Sequence, residues 1–210
     1  MNLTKKITLA LGVVAATAAS YAQQPAATST TPIGILGQQY TEVSFGAQDI
    51  KHLSPNAYSF DLAGNVPVNA NVDVSGDYSY GWIRGGINAH SNTLSTAATL
   101  HTTYAGVKPF AVAALGYQWE HDVGVNHSFA IWGAQIGVEI PVGDITLTPT
   151  VAYADDFRAS RKSSQAIVTN VEANYWFTKT TAGFAGIGYT DTQRSGADSW
   201  NYSAGVRVRF

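Results

Sequence analysis

The chain has 210 residues, with 12 Lys+Arg against 14 Asp+Glu, a net charge of −2 and no cysteine. That balance excludes a basic nucleic-acid binder, a disulfide scaffold and thiolate chemistry at a metal or nucleophilic centre. Charged residues are 12% of the chain, about half the ~25% usual in soluble domains, and mean hydropathy is close to zero.

Residues 1–22 read as a secretory signal peptide. Lys5 and Lys6 supply the positive start, and Ile7 to Ala19 is apolar or small but too short for a comfortable span. Ser20-Tyr21-Ala22 puts small residues three and one before a cut, so Gln23 begins the mature chain. Loss of the two lysines takes the net charge to about −4. Residues 23–38 are rich in Ala, Thr, Pro and Gln without periodicity and are expected as a flexible lead-in.

From Tyr40 onward the chain divides into ten stretches of strand-like alternation, with no helical span of about 18 apolar residues. The first, Tyr40 to Ile50, sets Val43, Phe45 and Ala47 against Glu42, Ser44, Gly46 and Gln48. The second, Ala57 to Val68, turns Tyr58, Phe60, Leu62, Val66 and Val68 to one side. The third, Val72 to Ile83, opposes Val74, Tyr78, Tyr80 and Trp82 to Asp73, Ser75, Asp77 and Ser79. The fourth, Thr93 to Tyr104, is weaker, with Leu94, Ala98, Leu100 and Tyr104 outward and His101 inward. In the fifth, Pro109 to Glu120, Phe110 and Val112 favour one parity and Leu115, Tyr117 and Trp119 the other, which a β-bulge would reconcile.

The sixth, Ser128 to Val142, faces Trp132, Ile136, Val138 and Ile140 out and Gln135 and Glu139 in. Ile145 to Asp156, Gln165 to Phe177 and Thr181 to Asp191 continue the pattern, with Glu172 and Asn174 on the polar side of the eighth. The last, Trp200 to Phe210, alternates without a break, Tyr202, Val206, Val208 and Phe210 opposing Ser203, Arg207 and Arg209. Links after odd-numbered stretches (Lys51 to Asn56, Arg84 to Asn92, His121 to His127, Phe157 to Ser164, Thr192 to Ser199) are longer than even ones such as Gly143-Asp144. Aromatic residues gather near strand ends, from Tyr40, Tyr58 and Trp82 to Trp200 and Phe210, as two girdles at the headgroup level would require.

A two-sided final strand ending on an aromatic residue, behind nine similar segments, resembles small bacterial outer-membrane β-barrel proteins of the OmpA/OmpX and Opa-like type over essentially the whole mature chain. The resemblance implies an all-β, transmembrane, antiparallel up-and-down barrel over residues 39–210, of ten strands with eight as the alternative. Both termini are then periplasmic and the lead-in lies in the periplasm. It also implies that the barrel-assembly machinery reads Tyr202, Val206, Val208 and Phe210, and that outer-membrane lipid and lipopolysaccharide surround the protein.

Inward charges are the informative cluster for function. Arg207 and Arg209 lie beside Glu42 once the last strand meets the first, and Asp73, Asp77, Glu139 and Glu172 point the same way. Buried charges must be paired, so a salt-bridged lumen network is expected. This favours a structural or interaction role in the cell envelope with a lumen largely filled by side chains. A narrow porin-like channel for small solutes is the alternative, and an omptin-like rim protease, suggested by His121-Asp122 with Asp155-Asp156, a remote one. Arg158, Arg161 and Lys162 form a basic loop cluster suited to lipopolysaccharide phosphates. Neither an enzyme, a cofactor, a metal site nor a nucleic-acid partner is expected.

Overall fold

The computed structural model describes residues 34–50, 57–84, 89–122, 124–157, 165–192 and 198–210. Its ten strands are β1 (Tyr40–Ile50), β2 (Ala57–Asn69), β3 (Val72–Ile83), β4 (Ala89–His101), β5 (Lys108–Asp122), β6 (Val125–Val142), β7 (Ile145–Asp156), β8 (Ala166–Trp176), β9 (Thr181–Thr192) and β10 (Ser199–Arg209). Each pairs antiparallel with its successor, and β1 closes on β10, Glu42 opposite Arg207 and Ser44 opposite Gly205. The count is therefore ten, not eight. Closure removes the open edge whose unsatisfied backbone groups each cost several kcal/mol in hydrocarbon.

The period-2 pattern decides which side chains meet lipid. On β3, Val74 and Tyr78 are exposed while the alternate residues Asp73, Ser75 and Asp77 are buried. On β10, Tyr202, Val206 and Val208 face out and Arg207 is fully buried. Outward rings touch one another at the end away from the chain termini: Tyr58 stacks on Trp82 at 5.9 Å, Trp82 on Tyr80 at 5.7 Å, and His90 on His121 at 5.1 Å. Tyr175 and Phe177 meet at 5.1 Å near the opposite end. These are the girdles, with one exception. Tyr40 is 1% exposed and points into the lumen, where its ring lies 5.8 Å from the Arg207 guanidinium.

Three further differences have local causes. β4 begins at Ala89 rather than Thr93 and ends at His101, leaving Tyr104 in a tight bridge with Val107 across Ala105 (φ 50°) and Gly106 (φ 82°). Asp122 pairs with Val125, so the expected longer link from His121 to His127 is absorbed into the β5–β6 hairpin. No bulge interrupts β5, which pairs in continuous register with β4 and β6. Leu115, Tyr117 and Trp119 face lipid, while Phe110 and Val112 point inward and pack with Leu36 and Ala97.

Leu36 belongs to the fourth difference. Gly34 to Gln38, expected in the flexible lead-in, enter the barrel and are buried. Gly34 and Gly37 take φ values of 152° and 112°, which side-chain-bearing residues rarely adopt, so glycine is what lets the chain fold back into the lumen. The signal-peptide reading and residues 23–33 lie outside the described residues.

Candidate functional site

The lumen is where the polar side chains converge. Toward the end that holds the chain termini, Arg207 Nε donates to Glu42 Oε2 at 2.5 Å. From β8, Glu172 accepts Nη1 at 2.6 Å and Nη2 at 3.1 Å in a forked pair. Asn174 Oδ1 accepts from the same Nη1, and Asn174 Nδ2 donates to Glu172 Oε1 at 2.7 Å. The guanidinium lies 4.0 Å from the Phe184 ring centroid, a stacking geometry that favours a cation. Arg207 is 0% exposed, Glu42 3% and Glu172 2%. One cation held by two carboxylates and an amide is the satisfied arrangement a buried charge requires.

The strands explain how these groups meet. Glu42 and Arg207 are direct partners across the β1–β10 seam. Arg207 pairs with Ala182 on β9, and β8 presents Glu172 and Asn174 beyond it. Gly205, next inward from Arg207, leaves room for the Phe184 ring. A Cβ there would lie 2.6 Å from ring carbons of Phe184.

The remaining expected lumen residues occupy separate places. Asp73 lies 3.7 Å from His101 Nε2. Asp77 accepts from Ser95 Oγ at 3.3 Å. Glu139 faces Lys108 Nζ at 3.6 Å and accepts the backbone N–H of Ile35 at 2.5 Å and Leu36 at 3.2 Å. Arg209 lies at the strand end on the Glu139 side of the lumen, apart from the Arg207 cluster. Its Nη2 donates to Gly34 O at 2.8 Å, and the guanidinium stacks 3.7 Å over Trp176. Sequence reasoning set Asn174 and Asp61 on inward faces without joining them to the ionic cluster, and it missed the lumen roles of Phe184, Tyr40 and Lys108. Lys108 and Glu139 are register partners, a pairing legible only once β5 is given its parity.

Two levels of the lumen differ. Nearer the chain termini it is packed, by the Arg207 cluster on the β8–β10–β1 wall and by Gly34 to Gln38 against the β4–β6 wall. Further along, inward Thr150, Asn170, Asn201 and Ser203 are half-buried, while inward Gln48, Gln118, Thr190 and Ser199 toward the far end are buried again.

Outside, His90, Asn92, Trp119, His121, Asn126 and His127 line a cleft of about 300 Å³ near the rim. His121 Nδ1 shares a 2.7 Å hydrogen bond with Asn126 Oδ1, and Asp155, on β7, accepts from Tyr153 at 3.3 Å and Gln165 at 3.4 Å. The pair that invited the protease comparison therefore sits on different strands with other partners. Arg158, Arg161 and Lys162 lie outside the described residues. Of the C-terminal residues, Tyr202, Val206, Val208 and Phe210 are all exposed on the outer surface.

No family model and no curated protein matches the sequence. Among solved structures, the chain is similar to the β domain of the Bordetella autotransporter BrkA, at 13% identity over 82% of this chain and 99% of that one with a TM-score of 0.51. It is also similar to the translocator domain of the autotransporter NalP from Neisseria meningitidis (9% identity, 95% and 93% covered, TM-score 0.49). Neisserial surface protein A gives 14% identity, 82% and 96% covered, and a TM-score of 0.44. Closure of ten antiparallel strands, an apolar exterior and a polar interior agree with the first of these in fold, and the chain folds as a small outer-membrane β-barrel.

Proposed function

We propose that this barrel resides in the outer membrane in a structural or interaction role, with a lumen that ends blind. The observation that carries the reading is the Arg207–Glu42–Glu172 cluster, whose members are at most 3% exposed. A water-filled pore at that level would leave a guanidinium accessible. Ten strands also fall between the side-chain-filled interiors of eight-stranded barrels and the aqueous channels of 16-stranded porins, so side chains of this size can close the section. Biogenesis through the barrel-assembly machinery, with Tyr202, Val206, Val208 and Phe210 as the recognised strand, and contact of Arg158, Arg161 and Lys162 with lipopolysaccharide phosphates belong to the same reading. The test is planar-bilayer recording on the purified, refolded full chain. Electrical silence at both polarities is expected, and sustained conductance overturns the proposal.

A further inference from the structure

The outer surface is apolar along most of its height, and a patch near the rim away from the chain termini is not. The register of β4, β5 and β6 sets two rows of outward residues side by side: His90, His121 and Asn126 in one, Asn92, Trp119 and Ser128 in the other. These residues line the rim cleft described above. The next row toward the termini is Leu94, Tyr117 and Ala130, of which Leu94 and Tyr117 are exposed. The patch therefore begins where the hydrocarbon-facing surface ends. On the opposite wall, β9, β10 and β1 set Tyr189, Trp200 and Asp49 in one row at that end of the barrel, so the paired amides and imidazoles are local to β4–β6.

The acceptors of the patch are engaged and its donors are open. Asn92 Oδ1 accepts from the Tyr78 hydroxyl at 2.7 Å, and Ser128 Oγ accepts from the Tyr117 hydroxyl at 3.1 Å. Asn126 Oδ1 lies 2.7 Å from His121 Nδ1, and because a carbonyl oxygen only accepts, Nδ1 carries the proton. Among the described residues, Asn92 Nδ2, Asn126 Nδ2, Trp119 Nε1 and the Ser128 hydroxyl proton have no acceptor, and the His90 ring has no hydrogen-bond partner. Open donors around a cleft match an oxygen-rich ligand, above all an anion whose oxygens accept several bonds at once. Trp119, 45% exposed, adds a flat apolar face beside those donors.

We propose that this patch faces the outer leaflet and binds the phosphorylated sugar headgroup of lipopolysaccharide, with the phosphate on the Asn92, Asn126 and Ser128 donors and a sugar ring against Trp119. The turns support that orientation. At the end that holds the termini β2 meets β3 through Ala70-Asn71 and β6 meets β7 through Gly143-Asp144, whereas longer links join β1 to β2 and β7 to β8 at the other, and short turns are the periplasmic ones in such barrels. A lipid suits the site better than a free phosphate or sugar, because its acyl chains lie along Leu94 and Tyr117 and hold the headgroup level with the donors. The proposal deepens the lipopolysaccharide contact of the reading above by giving it a site on the strands, separate from Arg158, Arg161 and Lys162. It is independent of whether the lumen conducts.

The test is native mass spectrometry of the refolded full chain, released from detergent after incubation with diphosphoryl lipid A, its dephosphorylated form or phosphatidylglycerol. Wild type is expected to retain a single diphosphoryl lipid A and to hold the other lipids weakly. Asn92→Leu with Asn126→Leu removes donors without placing a charge on the lipid face. It is expected to lower retention of diphosphoryl lipid A about tenfold, the loss of one hydrogen bond to a charged group. Retention equal to wild type overturns the site. Dephosphorylated lipid A held as well as the diphosphoryl form overturns the phosphate assignment, and phosphatidylglycerol held as well overturns lipopolysaccharide as the occupant.

Should the double Leu variant not fold, Ser128→Trp fills the cleft and carries the same expectation. Replacing Arg158, Arg161 and Lys162 with Ala separates the strand site from the loop. Loss of lipid A in that variant with full retention in the cleft variants overturns the strand site and leaves the loop contact, whereas the reverse outcome upholds the strand site. Planar-bilayer recording on the same samples reads the sealed lumen separately, so conductance in wild type removes that reading without touching this one.

Discussion

Glu42 and Arg207 face each other across the seam where β1 meets β10, their side chains joined at 2.5 Å although 165 residues separate them. Backbone pairing closes the seam, and this ion pair bridges it from the inside. Because both groups are buried, breaking the pair from one side is costly, whereas replacing the whole cluster need not be. Arg207→Met leaves Glu42 and Glu172 uncompensated and is expected to lower unfolding free energy in phospholipid vesicles by about 3–5 kcal/mol. Adding Glu42→Gln and Glu172→Gln should recover most of the loss. Urea unfolding followed by Trp fluorescence reads both, and a triple variant as unstable as the single one would refute the pairing.

Gly205 tests the packing beneath that cation. An added methyl would press most closely on the Val43 carbonyl oxygen of β1 and meet the Phe184 ring at 2.6 Å, so the β1–β10 seam and the platform under the Arg207 guanidinium are both strained. Overpacking of this kind costs about 1–3 kcal/mol, and Gly205→Ala should show it as a lowered midpoint in the same urea assay. Gly76→Ala is the control, because the nearest atom to its added Cβ is 4.0 Å away and it lies on the lipid face. Equal effects at the two glycines would mean that the interior contact is not the cause.

The period-2 pattern made most of this architecture legible before any coordinates. β1, β3 and β7 run over the residues the alternation marks, and the inward acids of β3 are where their parity puts them. What could not be read was set by partners remote in sequence. Phe110 and Val112 look like lipid-facing residues until Leu36 is seen packed against them, because an apolar patch inside a polar lumen arises only when another segment enters it. Tyr40 looks like a girdle residue for the same reason, and its burial follows from the Arg207 cation beside it. Arg209 sits two residues from Arg207 on the same face, yet it bonds Gly34 O and stacks on Trp176, away from Glu42 and Glu172. Alternation assigns a face and does not choose the partner on it.

The outward face can be challenged by depth. Ile136 is 64% exposed well inside β6, and Val142, 56% exposed, is that strand's last residue. A cation at the bilayer midplane costs about 2–4 kcal/mol and near the interface about 0–1. Ile136→Arg should therefore destabilise the refolded barrel strongly and Val142→Arg little, as measured by unfolding in vesicles of fixed composition. Equal losses at the two positions would contradict the membrane depth assigned to β6.

Tryptophan fluorescence distinguishes the two faces directly. Trp119 and Trp200 are each 45% exposed on the outer surface, within the girdle away from the chain termini, where Trp200 meets Tyr189 at 5.3 Å. Trp176 instead turns inward beneath the Arg209 guanidinium at 3.7 Å. In single-Trp variants placed in vesicles of brominated lipid, Trp119 and Trp200 should be quenched, more by bromine close to the headgroups than by bromine deep in the chains, since indole rings favour the interface. Trp176 touches no acyl chain in this geometry and should keep its emission in both lipids. Replacing Arg209 with Ala removes the group stacked on Trp176 without moving the ring to the outer face, so its emission is expected to shift in wavelength while its protection from brominated lipid persists. Quenching of Trp176 as strong as that of Trp200 would place β8 in the opposite parity and carry Glu172 and Asn174 out of the lumen with it.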